Sequence, residues 1–292
     1  MFSTSLHTFE SDISKSLFHL FSLDSKNSES NFTTTLPWIQ KCIQILPTIN
    51  KAFKKLVLDI DYPITTWELA SIDEYLNYSL NSLESLNSIT SSLTQLRQAR
   101  MIVSHALSLV EEEASSLLVS EHLKPIQPQL WTSSSNKNSY GNQELEGEMK
   151  FCSEKEWIIH QALIIKKSVW YWLCRVVESS IRGDVQLEMK KELSPFSSPL
   201  VSLQLSSVCE QMRGRKGVLK EVTDVNEAVV RLTATAADER SEQIGDAVNE
   251  LKGRVDVLGK MLEGVEEDVN RLFSGVLLGR NEVLDSFQQR KD

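Results

Sequence analysis

Few side chains in this sequence stand at spacings that could do chemistry. Arg213-Gly214-Arg215-Lys216 packs three cations into four residues. Such a cluster can hold an acidic lipid headgroup or an acidic protein surface, although stable membrane anchoring needs a second signal beside one short basic patch. Arg213, Arg215 and Lys216 are therefore the candidate partner or lipid contact. The five histidines, His7, His19, His105, His122 and His160, lack metal-ligand spacing and read as helix-surface or core residues. Cys42, Cys152, Cys174 and Cys209 are scattered, which fits reduced, mostly buried thiols rather than a disulfide framework or a zinc site. Asp59 and Asp61 could pair as carboxylates, but their place before Pro63 reads as the close of a helix and a turn. The sequence has no G-x-S-x-G, glycine-rich phosphate loop, H-E-x-x-H or C-x-x-C. It predicts a protein that is not an enzyme and uses no cofactor or metal.

The elements that would position these residues are helical. With 11 Gly and 7 Pro in 292 residues the chain is poor in turn formers, which disfavours an all-β fold. A net charge of −9 argues against broad binding of nucleic acid or anionic lipid. Residues 1–23 include Glu10 and Asp12 but no Arg, and fit neither a secretory signal nor a transit peptide. The expected location is cytoplasmic, with at most peripheral membrane contact.

Apolar residues three and four apart trace the helices. Leu6, Phe9, Ile13, Leu17 and Leu20 mark the first. Pro37 opens a second that runs to about Leu58 through Pro47, where a kink is expected. Thr65-Thr66-Trp67-Glu68 forms a capping box and predicts that a long third helix starts at Thr65 and reaches about Val110. Two prolines and a Ser/Asn cluster predict a flexible linker over 124–153, between an N-terminal helical region, 1–123, and a C-terminal one, 154–292.

Within 154–292, the segment from Ile158 to Val177 is the most membrane-like. Lys166 and Lys167 interrupt it, each costing about 2.5 to 3.5 kcal/mol at a bilayer centre, so a buried bundle helix is the favoured reading over a spanning one. Lysine snorkelling at an interface is the alternative.

Near the C-terminus Ile244, Val248, Leu251, Val255, Leu258, Leu262, Val265, Val269, Leu272 and Val276 alternate spacings of four and three. β-Branched residues at one seam position with Leu at the other suit a two-stranded coil. Ala247, Gly259, Met261, Phe273 and Gly275 on the flanks are apolar or small where a dimer would place pairing charges. This favours an intramolecular bundle over a homodimer, with Val218–Ala236 as the antiparallel partner of Ile244–Phe287 and the long N-terminal helix beside them. The fold class is all-α: one elongated bundle with a coiled-coil-like C-terminal hairpin.

Three groups of residues carry a family resemblance: Leu36-Pro37-Trp38; Asp61-Tyr62-Pro63 with Trp67 and Asp73-Glu74-Tyr75-Leu76; and Val269, Phe273, Val276, Arg280, Glu282 and Leu284-Asp285. Together they resemble the plant BYPASS-related family. The resemblance implies a developmental regulator that restrains a root-derived mobile signal, which otherwise arrests shoot growth, acting through a protein partner. Longer relatives imply an alternative, an adaptor of exocyst-type membrane trafficking. The family supplies no catalytic residues to carry over.

Overall fold

The computed structural model describes residues 2–22, 34–113, 122–128, 153–183, 198–212, 218–237 and 241–288. Among them every regular element is a helix: α1 (Phe2–Ser22), α2 (Leu36–Asp59), a single 3₁₀ turn (Ile64–Thr66), α3 (Leu69–Glu113), α4 (Glu154–Arg182), α5 (Pro199–Met212), α6 (Lys220–Ala237) and α7 (Ser241–Gln288). The fold is an all-α bundle. At about 1.5 Å per residue, the 48 residues of α7 span roughly 70 Å.

Four helices form the centre. α4 and α7 each pack on both α2 and α3, so α2 and α3 occupy one diagonal and α4 and α7 the other. Side-chain pairs give the directions. Gln40 meets Asp268 and Lys54 meets Glu282, so α2 and α7 run parallel. Arg97 meets Glu266 while Glu111 meets Lys252, so α3 runs against α7. Arg254 meets Asp224 and Arg231 meets Glu250, so α6 and α7 form the expected antiparallel pair. Only α7 of that pair packs substantially on α3.

The heptad stripe faces this interior. From Val248 to Val276 each of its positions is buried, and Ile244 at the start is half-buried. Gly259 lets the Arg100 side chain cross α7, since a Cβ there would lie 1.7 Å from Arg100 Nη1. Gly253 and Gly275 have no neighbour within 4 Å and simply weaken the helix.

α3 is rich in serine yet unbroken over 45 residues. The hydroxyls of the buried Ser82 and Ser92 each donate to the carbonyl four residues back, so small polar residues can be buried between helices without orphaned groups. Their small size brings α4 close, where Ser88 donates to Glu178 and Arg182 to Ser92.

Helix ends account for the remaining order. Thr35 caps α2 by accepting from Trp38 N, and Ser153 caps α4 by accepting from Glu156 N. α2 continues through Pro47, whose ring is on its exposed side, to Asp59. Asp61 then takes a left-handed φ of 49°, which a short polar side chain tolerates. Gly183, at φ 69°, closes α4.

Two contacts tie distant segments together. The first residues of α2 and α6 meet head to head: Lys220 N donates to Thr34 O at 2.9 Å, and Leu36 N donates to Glu221 Oε1 at 3.1 Å. Both positive helix ends thus share one nearly buried carboxylate. Burial raises the Glu221 carboxyl above the usual range, while the backbone donors act the other way. Residues 122–128, mostly within the expected linker, are docked on α6 through Ile126 and Asn226. The rest of 124–153, apart from Ser153, lies outside the described residues.

Candidate functional site

The basic cluster Arg213, Arg215 and Lys216 lies outside the described residues, as do Cys152 and the side chain of Cys209. Other chemistry-bearing residues converge at the end of the bundle where α2 turns into α3. Their centre is Lys166, a cation that is 2% exposed.

Lys166 is placed by α4. Ile159, Leu163, Lys166, Trp170, Leu173 and Val177 recur at four and three and are all buried, whereas Lys167 falls one position outside the stripe and is exposed. The structure therefore separates two lysines that the sequence reading treated alike. Lys166 does not snorkel to water. Its Nζ lies 4.5 Å from the ring centroid of Phe53, 4.7 Å from Tyr78 and 5.0 Å from Tyr75, over rings supplied by α2 and α3.

The rings brace one another. Phe53 stacks on Tyr75 with centroids 6.3 Å apart, and Trp67 meets both edge-on at 6.1 Å. Tyr78 meets Tyr75 at 6.1 Å and Trp170 at 5.9 Å. Trp67 is itself fixed, with its indole N–H donating to Tyr62 O at 3.0 Å.

Seating Trp67 in this core corrects the expected start of α3. Thr65 sits in the 3₁₀ turn, Trp67 is extended at ψ 149°, and the helix begins only at Leu69. The cap comes from another helix: Glu156 of α4 accepts from Glu68 N at 3.2 Å. Burial of a tryptophan outweighs a local capping box worth about 1 kcal/mol.

The electrostatics of the box oppose one another. Burial, with a smaller push from Lys54, lowers the Lys166 amine to about 7. The three ring faces act the other way, each worth about 0.5–2 kcal/mol to a cation. Among the described residues no carboxylate lies within 4.0 Å of Nζ. Burial also raises Tyr75 to about 12, with Glu282 adding to the effect. Tyr62 is raised to about 12 by burial and then by the neighbouring Glu156 carboxylate. Burial raises Cys174 as well, an unreactive state for a thiol.

A neutral lysine is a nucleophile in principle. Closed in by three rings and removed from solvent, this amine is bound rather than presented. The box is a cation-binding arrangement filled by the chain's own ammonium.

Polar contacts ring the box. His160 Nδ1 lies 2.7 Å from Glu74 Oε2 between α4 and α3. Arg280 reaches from α7 to Leu76 O and to Ser79 Oγ at 2.9 Å, and Lys155 donates to Asp61 O at 2.8 Å. His7, His19, His105 and His122 are exposed, and among the described residues no group of three His, Cys, Asp or Glu could hold a metal ion. No helix of the described residues is long and apolar enough to cross a membrane.

Two of the three residue groups that carry the family resemblance meet here. Asp61, Tyr62 and Trp67 come from the α2–α3 turn, Glu74 and Tyr75 from the first turns of α3, and Arg280 and Glu282 from the end of α7. Leu36-Pro37-Trp38 lies instead at the junction with Glu221.

No family model matches the chain, and no solved structure matches it. It is similar to Protein BPS1, chloroplastic, of Arabidopsis thaliana, at 24% identity over 300 aligned positions that cover 97% of this chain and 83% of that protein. It is also similar to UPF0496 protein 4 of Oryza sativa, subspecies indica and japonica, at 23% identity over 229 positions covering 72% of this chain. The chain spans 50% of the length of these rice relatives. The expected resemblance to BPS1-like plant proteins is thus found by direct comparison.

Proposed function

We propose that this chain is a BYPASS-like plant developmental protein that restrains a root-derived mobile signal, acting through protein contacts rather than catalysis. The observation that carries the reading is the similarity to Protein BPS1, which extends over 97% of the chain. A box whose only reactive group is sealed among aromatic rings fits a scaffold better than an active site. In this reading the protein works in the cytoplasm, at most touching membranes peripherally.

The test is genetic, in a background without redundant relatives. Wild-type shoots grafted onto roots that lack the protein are expected to arrest, and normal shoot growth on such roots overturns the proposal. Proximity labelling in root tissue is expected to recover protein partners. A set dominated by exocyst subunits would favour a trafficking adaptor instead.

A further inference from the structure

The outer side of α2 differs in charge from the rest of this acidic chain. From Leu36 to Leu58 the helix carries Lys41, Lys51, Lys54 and Lys55 and no acidic residue, in a protein whose net charge is −9. The packing of α2 gathers them. Cys42, Ile45, Ile49, Phe53 and Leu56 are buried, so Lys41, Gln44, Thr48, Lys51, Lys55 and Leu58, also three and four apart, line the opposite side and are all exposed. At about 1.5 Å per residue this stripe is roughly 25 Å long.

The neighbouring helices set its edges. On the α1 side Asp12 lies 3.9 Å from Lys55, and Lys15 stands exposed one turn further along α1. On the α7 side Glu282 pairs with Lys54 at 3.2 Å. Both edge carboxylates are thus taken up by a lysine, while Lys15, Lys41 and Lys51 have no ion pair among the described residues.

Two large apolar side chains accompany the cations. Leu58, in the last turn of α2, is 78% exposed, and Leu278, one turn before Glu282, is 61% exposed. α2 and α7 run parallel, which brings Leu278 level with Lys51.

These groups suit one kind of partner. A carboxylate on a folded protein is best read by the fixed fork of an arginine, whereas lysines on flexible stems meet a diffuse field of charge. The stripe holds lysines and no arginine, spread along its whole length beside unburied leucines. A bilayer with acidic headgroups offers negative charge at its surface and hydrocarbon just beneath. It repels the acidic remainder of the molecule, so only this face lies against it.

We propose that the outer face of α2, with Lys15 of α1 and Leu278 of α7 at its edges, is a docking surface for bilayers that contain acidic phospholipid. It gives the peripheral membrane contact of the proposed function a location, and rests on that reading for its place in the cell. Vesicle binding and the graft phenotype are measured separately, so either can fail without the other.

The test is co-sedimentation of the full chain with vesicles of phosphatidylcholine, alone or with phosphatidylserine at roughly three to one. Binding is expected only where the serine lipid is present, and should fall at least tenfold at about 0.5 M salt, where surface charges are screened within a few ångströms. Lys15→Glu with Lys41→Glu and Lys51→Glu should weaken binding at least tenfold, with folding checked by circular dichroism. Arg213→Glu with Arg215→Glu and Lys216→Glu makes the same change in net charge and should weaken binding less than threefold. Leu58→Ser with Leu278→Ser should weaken it at least threefold. If the glutamates unfold the chain, Lys→Gln at the same three positions takes their place, with a loss of at least threefold expected. Equal losses in the two charge variants, equal binding to both kinds of vesicle, or binding to neither overturns the proposal. Binding to poly-glutamate but not to vesicles overturns it too, and gives the face to an acidic protein segment.

Discussion

Replacing Lys166 by methionine is expected to stabilise this protein, and by an amount that depends on pH. Burial lowers the amine from 10.5 to about 7. At about 1.4 kcal/mol per pH unit, the ammonium costs the folded state roughly 4 kcal/mol at neutral pH. Attraction to the faces of Phe53, Tyr75 and Tyr78, each worth about 0.5–2 kcal/mol, returns about 1.5 kcal/mol or more of this and leaves a net cost of at most about 2.5 kcal/mol. Methionine is of similar length, carries no charge and makes favourable sulfur contacts with rings. The sign follows from proton binding. The folded pKa lies below the unfolded one, so between about 7 and 10.5 the unfolded chain holds more protons and stability rises with pH. Lys166→Met removes that slope. Urea unfolding of both proteins at several pH values from about 7 to 9.5 should show a gain of up to about 2.5 kcal/mol at the low end that shrinks as the pH rises. Tyr62 and Tyr75, both raised to about 12, make stability fall above the unfolded tyrosine value of 10, but they do so in both proteins and cancel in the difference. A difference that stays constant across this range, or a destabilised Met variant, would refute the reasoning.

Glu221→Ala should cost about 2 kcal/mol in chemical denaturation, because Leu36 N loses its acceptor where two helix ends meet. Glu221→Gln keeps an acceptor and should lose less than half as much, and equal losses would show that the shared carboxylate is not what caps α2. Asp268 accepts from Gln40 at 2.9 Å, Gln44 at 2.8 Å and Arg271 at 2.8 Å, so Asp268→Ala should lose about 2–3 kcal/mol, an amount that a double-mutant cycle with Gln44→Ala would show to be partly shared. Gly253→Ala, in open space, should gain about 0.8–1 kcal/mol of stability. Gly259→Ala should show that gain only when Arg100 is also shortened to Ala, and an equal gain with Arg100 intact would remove the claimed crossing.

The C-terminal stripe was the most legible part of the sequence, because α7 keeps a single apolar face from Val248 to Val276. α3 was harder to read. It is buried on two flanks, against α4 and α7, so its apolar and small residues spread round the cylinder. The candidate site was legible only in pieces. Lys166 could have been told from Lys167 by register alone, since Ile159, Leu163 and Trp170 place it in the buried stripe. That Phe53, Tyr75 and Tyr78 would surround it depends on how three helices cross, and no local pattern carries that information. The same is true of two acceptors at helix starts, though not of the local caps Thr35 and Ser153. Glu156 reaches back 88 residues to Glu68 and Glu221 reaches 185 to Leu36, whereas the local capping box at Thr65 gives way to the seating of Trp67.

The meeting of α2 and α6 has a mechanical consequence. The two helices cover successive stretches of α7, one beside Gln40 and Asp268 and the other beside Asp224 and Arg254, and they point away from each other. Together they act as one strut with a splice in it, bridged by α3 and α7, which pass the splice unbroken. A bending load on the bundle would concentrate strain at this splice, where two hydrogen bonds hold the ends. Thr34, Leu36, Lys220 and Glu221 mark where the molecule would flex first, and the joint between these two helices is held by one backbone pair and one carboxylate rather than by a turn of helix.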